Sequence, residues 1–110
     1  MKKIWKQRWL KALRNGKYKQ GRYTLRTQED RFCCLGVLCD VVAIHEGKQW
    51  KFDGSYWAFG KATTALSSSV LKIVGLTAHD PVILGTSLTI RNDAKKQSFK
   101  RIADLIEKHL

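Results

Sequence analysis

The sequence predicts an α+β fold: a small, largely antiparallel sheet with a central hairpin, packed by N-terminal, central and C-terminal helices. Three observations carry this. Aromatic residues flank Asp53-Gly54 in "KQWKFDGSYWAFG", the pattern of a hairpin closed by an Asp-Gly turn. Apolar residues recur at helical spacing near both ends and in the cysteine-rich centre. Glycines and serines stand where those helices would stop and start. The 110 residues form one expected domain, 1–110, with no room for a second.

In chain order, residues 2–14 predict a helix that buries Trp5, Trp9 and Leu13, with its lysines mostly off that stripe. Asn15-Gly16 is its stop. "RYTLR", 22–26, alternates polar and apolar residues and reads as a short strand. In "RFCCLGVLCDVVAIHEG", Leu35, Leu38, Cys39 and Val42 share a face, which favours a buried helix ending at Gly47 over a strand. The Asp53-Gly54 hairpin follows. Serines then cap a short helix that Gly75 ends. "SLTIRN", 87–92, reads as a last strand, with Asp93 turning the chain. Ser98 caps a final helix whose apolar face is Phe99, Ile102, Ala103, Ile106 and Leu110. The expected order is α-β-α-β-β-α-β-α.

Charge is the strongest compositional signal. The formal net charge is +12, and it is uneven. Residues 1–31 hold eleven Lys/Arg against Glu29 and Asp30, a balance of +9. Residues 32–86 balance at zero, and residues 87–110 at +3. Such a field attracts anionic partners: nucleotides, nucleic acid or an acidic protein surface. No apolar run reaches the roughly 18–20 residues that span a bilayer, and the N-terminus lacks the apolar core of a signal peptide. No membrane partner and a cytoplasmic location are therefore expected. Cys33, Cys34 and Cys39, odd in number and crowded together, agree with a reducing compartment.

Little in the sequence carries reaction chemistry. The C-C-x4-C spacing has no second cluster to complete a tetrahedral zinc site, so no metal is expected, and the cysteines read as core. His45, His79 and His109 lie in no acid–histidine–nucleophile pattern, and no phosphate loop or hydrolase elbow is present. Nothing in the spacing requires Asp40 and Asp93 to meet as an acid–base pair. The expectation is a non-enzyme without cofactor. A helix-turn-helix also fails: "SFKRIADLIEKHL" suits a first helix, but no second follows it to enter a groove.

The candidate anion-binding residues fall in two groups. In "NGKYKQGRYTLR", Lys17, Lys19, Arg22 and Arg26 supply charge, Tyr18 and Tyr23 supply flat faces, and Gly16 and Gly21 permit close approach. Arg91, Lys95 and Lys96 gather before the last helix, whose N-terminus adds unpaired N–H groups. Both groups also suit solvated connectors, with Tyr23 and Leu25 packed as strand residues and the cations in water.

The stretches Trp9–Gly21, Phe32–Asp40 and Asn92–Asp104 resemble a family of small uncharacterised proteins carried by tailed bacteriophages and prophages. Members share a Trp-x-x-Ala-Leu-x-x-Gly-x-Tyr-x-Gln-Gly start, a Phe-Cys-Cys-Leu-Gly-Val-Leu-Cys-Asp centre and an Asn-Asp…Ser-Phe-x-x-Ile-Ala-Asp end. This chain departs at "LSSSV", where similar proteins often carry Leu-Pro-Pro. The resemblance implies phage origin and the host cytoplasm, and transfers no reaction or catalytic residue. Small phage proteins of this kind often oppose host defence. The expectation is a protein that binds and sequesters an anionic nucleotide signal, as a homo-oligomer. The alternatives are nucleic-acid binding and inhibition of a host defence protein by direct contact.

Overall fold

The computed structural model describes all residues, 1–110. Its first helix, α1 (Lys3–Arg14), forms on the Trp5-Trp9-Leu13 stripe, and Leu10 and Ala12 are buried beside it. Gly16, at φ +77°, turns the chain away in a conformation that favours glycine.

Helix α2 (Cys34–Glu46) is the centre of the molecule. Every residue from Cys34 to Cys39 is buried, as are Val41, Val42 and Ala43. A helix apolar nearly all round can only exist inside a shell of other elements. Its N-cap is Cys33, whose sulfur accepts from the Gly36 N–H at 3.4 Å. Gly47, left-handed at φ +63°, ends it. Trp9 of α1 donates its indole N–H to the Cys34 carbonyl at 3.0 Å, so the two helices are joined by a buried bond as well as by apolar contact.

The hairpin pairs β1 (Lys51–Phe52) with β2 (Trp57–Ala58), antiparallel. Its turn is closed by the Asp53 carboxylate, which accepts from the Ser55 and Tyr56 N–H groups at 2.8 Å each. These bonds hold the Asp53 carboxyl below its ordinary value. Helix α3 (Ser68–Val74) is capped by Ser67 and ended by Gly75 at φ +76°. A second ribbon, β3 (Val82–Ile83) with β4 (Thr86–Ser87), leads into α4 (Leu88–Asp93), and α5 (Phe99–His109) closes the chain with Ser98 as its cap. Helix α5 lies on α1. Lys6 donates to the Glu107 carbonyl at 3.0 Å, and Arg14 reaches Asp104 at 2.8 Å and Glu107 at 3.2 Å.

The α+β class therefore holds, with the sheet present as two separate antiparallel ribbons. Two expected strands are not strands. "RYTLR" carries Tyr23 at φ +73°, which breaks an extended chain, and makes only an isolated bridge from Arg26 to Phe32. "SLTIRN" is the cap and body of α4. One cluster of 28 buried residues, drawn from all five helices and the segments between them, forms the core. No helix is long and apolar enough to cross a membrane.

Candidate functional site

Asn92 is fully buried and joins three distant stretches of chain. Its side-chain oxygen accepts from Gln20 at 2.8 Å and from the Cys34 N–H at 3.2 Å. Its amide donates to the Gly21 carbonyl and to Asp93, both at 2.8 Å. Every bonding position of this amide is used, so its protein bonds offset the cost of removing it from water. Gln20 donates onward to the Gln97 carbonyl at 2.8 Å. The cysteine-rich centre, the Gln20-Gly21 loop and the α4–α5 connection are thereby pinned together.

Asp40, at the exposed edge of α2, anchors a second cluster. It accepts from the Tyr18 hydroxyl at 2.5 Å and the Trp50 indole N–H at 3.0 Å. Burial, and then the bond to Asp40, push the Tyr18 hydroxyl well above its ordinary value. Tyr18, Phe32, Trp50 and Phe59 continue as a chain of ring contacts with centroids 5.1–6.0 Å apart. The Arg26 guanidinium lies over Trp57 at 3.8 Å, and its Nη2 meets the Asp30 carboxylate at 2.7 Å.

The loop that holds Arg26 forms one wall of a cleft of about 360 Å³. Arg22, Thr24, Arg26 and Thr27 line it from one side, and Ser55 and Tyr56 of the hairpin tip from the other. Gln28 closes the two walls by donating to the Ser55 carbonyl at 3.0 Å. Only three buried side-chain polar atoms in the protein lack a partner, and two of them, Arg22 Nε and Thr24 Oγ1, belong to residues of this cleft. A buried donor without a partner costs about 1–3 kcal/mol, and more when charged. Tyr56 is largely exposed at the rim and offers a ring face. Glu29 also lines the cleft and stands against the two guanidiniums. Because Arg26 is already paired with Asp30, Arg22 is the cation with bonding capacity left to offer.

The candidate residues do not form one site. Arg22 and Arg26 share the cleft. Lys17 and Tyr18 line a separate groove between α1 and α2, where the Tyr18 hydroxyl turns to Asp40. Lys19 is exposed while its carbonyl accepts from the Phe32 N–H at 2.8 Å. Arg91 is 6% exposed and donates to the Ile83 carbonyl and to Gln97, which makes it a strut between β3 and the α4–α5 connection. Lys95 and Lys96 project from that connection and line none of the surface depressions. The two groups do meet, but through the neutral Gln20, Asn92 and Gln97.

Sequence reasoning missed Thr24, Ser55 and Tyr56, because the cleft exists only once the hairpin tip folds onto the 22–28 loop. It also missed a second cleft of about 370 Å³ beneath the hairpin, lined by Lys48, Lys51, Lys61 and Ser69. The charge balance of that segment is zero overall, which hid three lysines gathered in space.

What these features define is a small basic α+β domain with open, cationic clefts and a core that buries all three cysteines. The chain belongs to the family described as a domain of unknown function, DUF8296, whose profile matches residues 1–110. No curated protein and no solved structure matches it.

Proposed function

We propose that this protein binds and sequesters a nucleotide-type anion without transforming it, in the cleft between the 22–28 loop and the hairpin tip. The observation that carries this is that Arg22 and Thr24, which each bury one side-chain polar atom without a partner, line the same cleft. Turned into the cleft, the Arg22 guanidinium and the Thr24 hydroxyl both donate to a phosphate oxygen, which supplies the acceptor each lacks. Tyr56 offers its ring to a base. The volume, about 360 Å³, suits a single nucleotide unit.

The resemblance to phage and prophage proteins supplies the setting: a host cytoplasm in which removing a nucleotide immune signal disarms a defence. The cleft is open on one side, and a second copy placed over its mouth would enclose the ligand, which is the role assigned to a homo-oligomer.

The test begins with protein purified from cells and heated, with the supernatant searched for released nucleotide by mass spectrometry. Calorimetric titration with cyclic and ADP-ribose-type nucleotides follows. Binding at about micromolar concentration or tighter is expected. Arg22→Ala should weaken it at least about tenfold, since a charge-assisted bond contributes about 1.5–3 kcal/mol. Thermal melting of the variant controls for folding. Absence of any binding by the intact protein would sink the reading.

A further inference from the structure

The surface depressions are not isolated from one another. The groove between α1 and α2 meets the hollow at Trp50 and Trp57 along the exposed Ile44. That hollow meets the cleft beneath the hairpin along Lys48 and Gln49. The three depressions thus adjoin in series, each sharing lining residues with the next, and together make a track. Arg8, Lys11 and Lys17 line its first section, and Lys48, Lys51 and Lys61 its last.

Three properties of this track point to one kind of ligand. First, neither cationic section contains an acid, and none of the six cations is in an ion pair. Like charges gathered this way repel unless an anion lies among them. Secondly, the one acid in the central hollow, Asp40, has both carboxylate oxygens occupied by Tyr18 and Trp50. It holds Tyr18 and Trp50 in place, and Arg26 adds a cation to the hollow over Trp57. Thirdly, Lys61 is held at φ +70°, a left-handed conformation that costs a non-glycine residue about 1–3 kcal/mol. It follows Gly60, at φ +59°, in the turn that places both residues at the cleft.

We infer that this track is a binding site for single-stranded nucleic acid, with cations at both ends on the phosphates and an unstacked base in the central hollow against the Arg26 guanidinium, which lies over Trp57 at 3.8 Å. A charged groove interrupted by aromatic platforms is what a flexible strand requires. A duplex keeps its bases stacked inside and leaves the central aromatic section unused. This track meets the nucleotide cleft at Arg26, which lines both, whereas Arg22 lines only the cleft and Lys48, Lys51 and Lys61 only the track.

The test is fluorescence anisotropy of the full chain with a labelled mixed-sequence strand of about 20 nucleotides, and with the matching duplex. Six phosphate contacts predict a slope of about −4 in log K against log salt, or roughly a 300-fold loss of affinity between about 50 and 200 mM. Changing Lys48, Lys51 and Lys61 together to Ala should halve that slope, to about −2. These side chains are exposed, so a thermal melt should show the variant folded. Arg22→Ala should leave strand binding intact, and the triple variant should leave nucleotide calorimetry intact. Tryptophan emission should change on strand binding. No strand binding at about 50 mM salt, equal or tighter binding of the duplex, or a slope indifferent to the three lysines would each overturn the inference.

Discussion

Gly36 has no room for a side chain. A methyl group built on it would lie 1.7 Å from the Leu25 carbonyl oxygen and 2.6 Å from that carbonyl carbon. The obstacle is backbone, and Leu25 is itself fully buried, with its N–H donating to the Thr63 carbonyl at 2.8 Å. Neither side can retreat. Gly36→Ala should therefore cost about 3 kcal/mol or more, at the upper end for overpacking. Urea unfolding with an unchanged m-value checks it, and a loss below about 1 kcal/mol would show that the Leu25 loop can move. The glycine in "CCLGVLC" is thus required by the close passage of the 22–28 loop over α2. That same passage fixes Arg22, Thr24 and Arg26 on one side of the candidate cleft.

Helix ends account for much of what could be read in advance. Ser67 and Ser98 each accept from the N–H three residues on, at 3.3 and 3.2 Å, and Gly47 and Gly75 end their helices left-handed. These signals are local, so α2, α3 and α5 were legible along with the Asp53-Gly54 hairpin. Helix α4 was not, because its inward face carries Leu88, Arg91 and Asn92, and two polar residues erase the apolar period. The β3–β4 turn places Leu84 at φ +51° before Gly85 at φ +78°. Leucine is an unusual choice for the first of those positions, so the turn carried no sequence signal. The candidate cleft was half legible: Arg22 and Arg26 stand in one basic stretch, but Tyr56 reaches them only through tertiary contact. At this scale Ser98→Ala should destabilise the protein by about 1 kcal/mol, since it removes the cap of a helix that packs on α1. Ser98→Asp should restore it by placing a carboxylate at the same helix end. Melting temperatures of the two variants decide, and equal losses in both would show that the cap bond is unimportant.

The whole molecule separates charge from thiols: lysines and arginines lie mostly outside, and the three cysteines lie at the centre of the core. Burial pushes the Cys33 thiol up to about 12 and holds Cys34 and Cys39 well above their ordinary value of 9.0. The consequence for stability has a definite sign. Below about pH 9 the thiols are protonated in both folded and unfolded chains, so they leave stability unchanged with pH. Above it the unfolded chain releases protons that the folded chain keeps. Each thiol then costs about 1.4 kcal/mol per pH unit, a loss that continues until the folded thiols themselves ionise. Three thiols together remove about 4 kcal/mol per unit, a large share of the roughly 5–15 kcal/mol that such a domain has. Tyr18, raised in the same direction, adds to the loss above its own ordinary value of 10.0. Urea midpoints should stay flat to about pH 8.5 and fall steeply from about pH 9 to 10, and Cys39→Ala should reduce that slope by roughly a third. A thiol reagent at about pH 8 should label none of the cysteines in the folded protein and all three in urea. Rapid labelling of the folded chain, or a flat midpoint through pH 10, would show that the core admits water to its thiols.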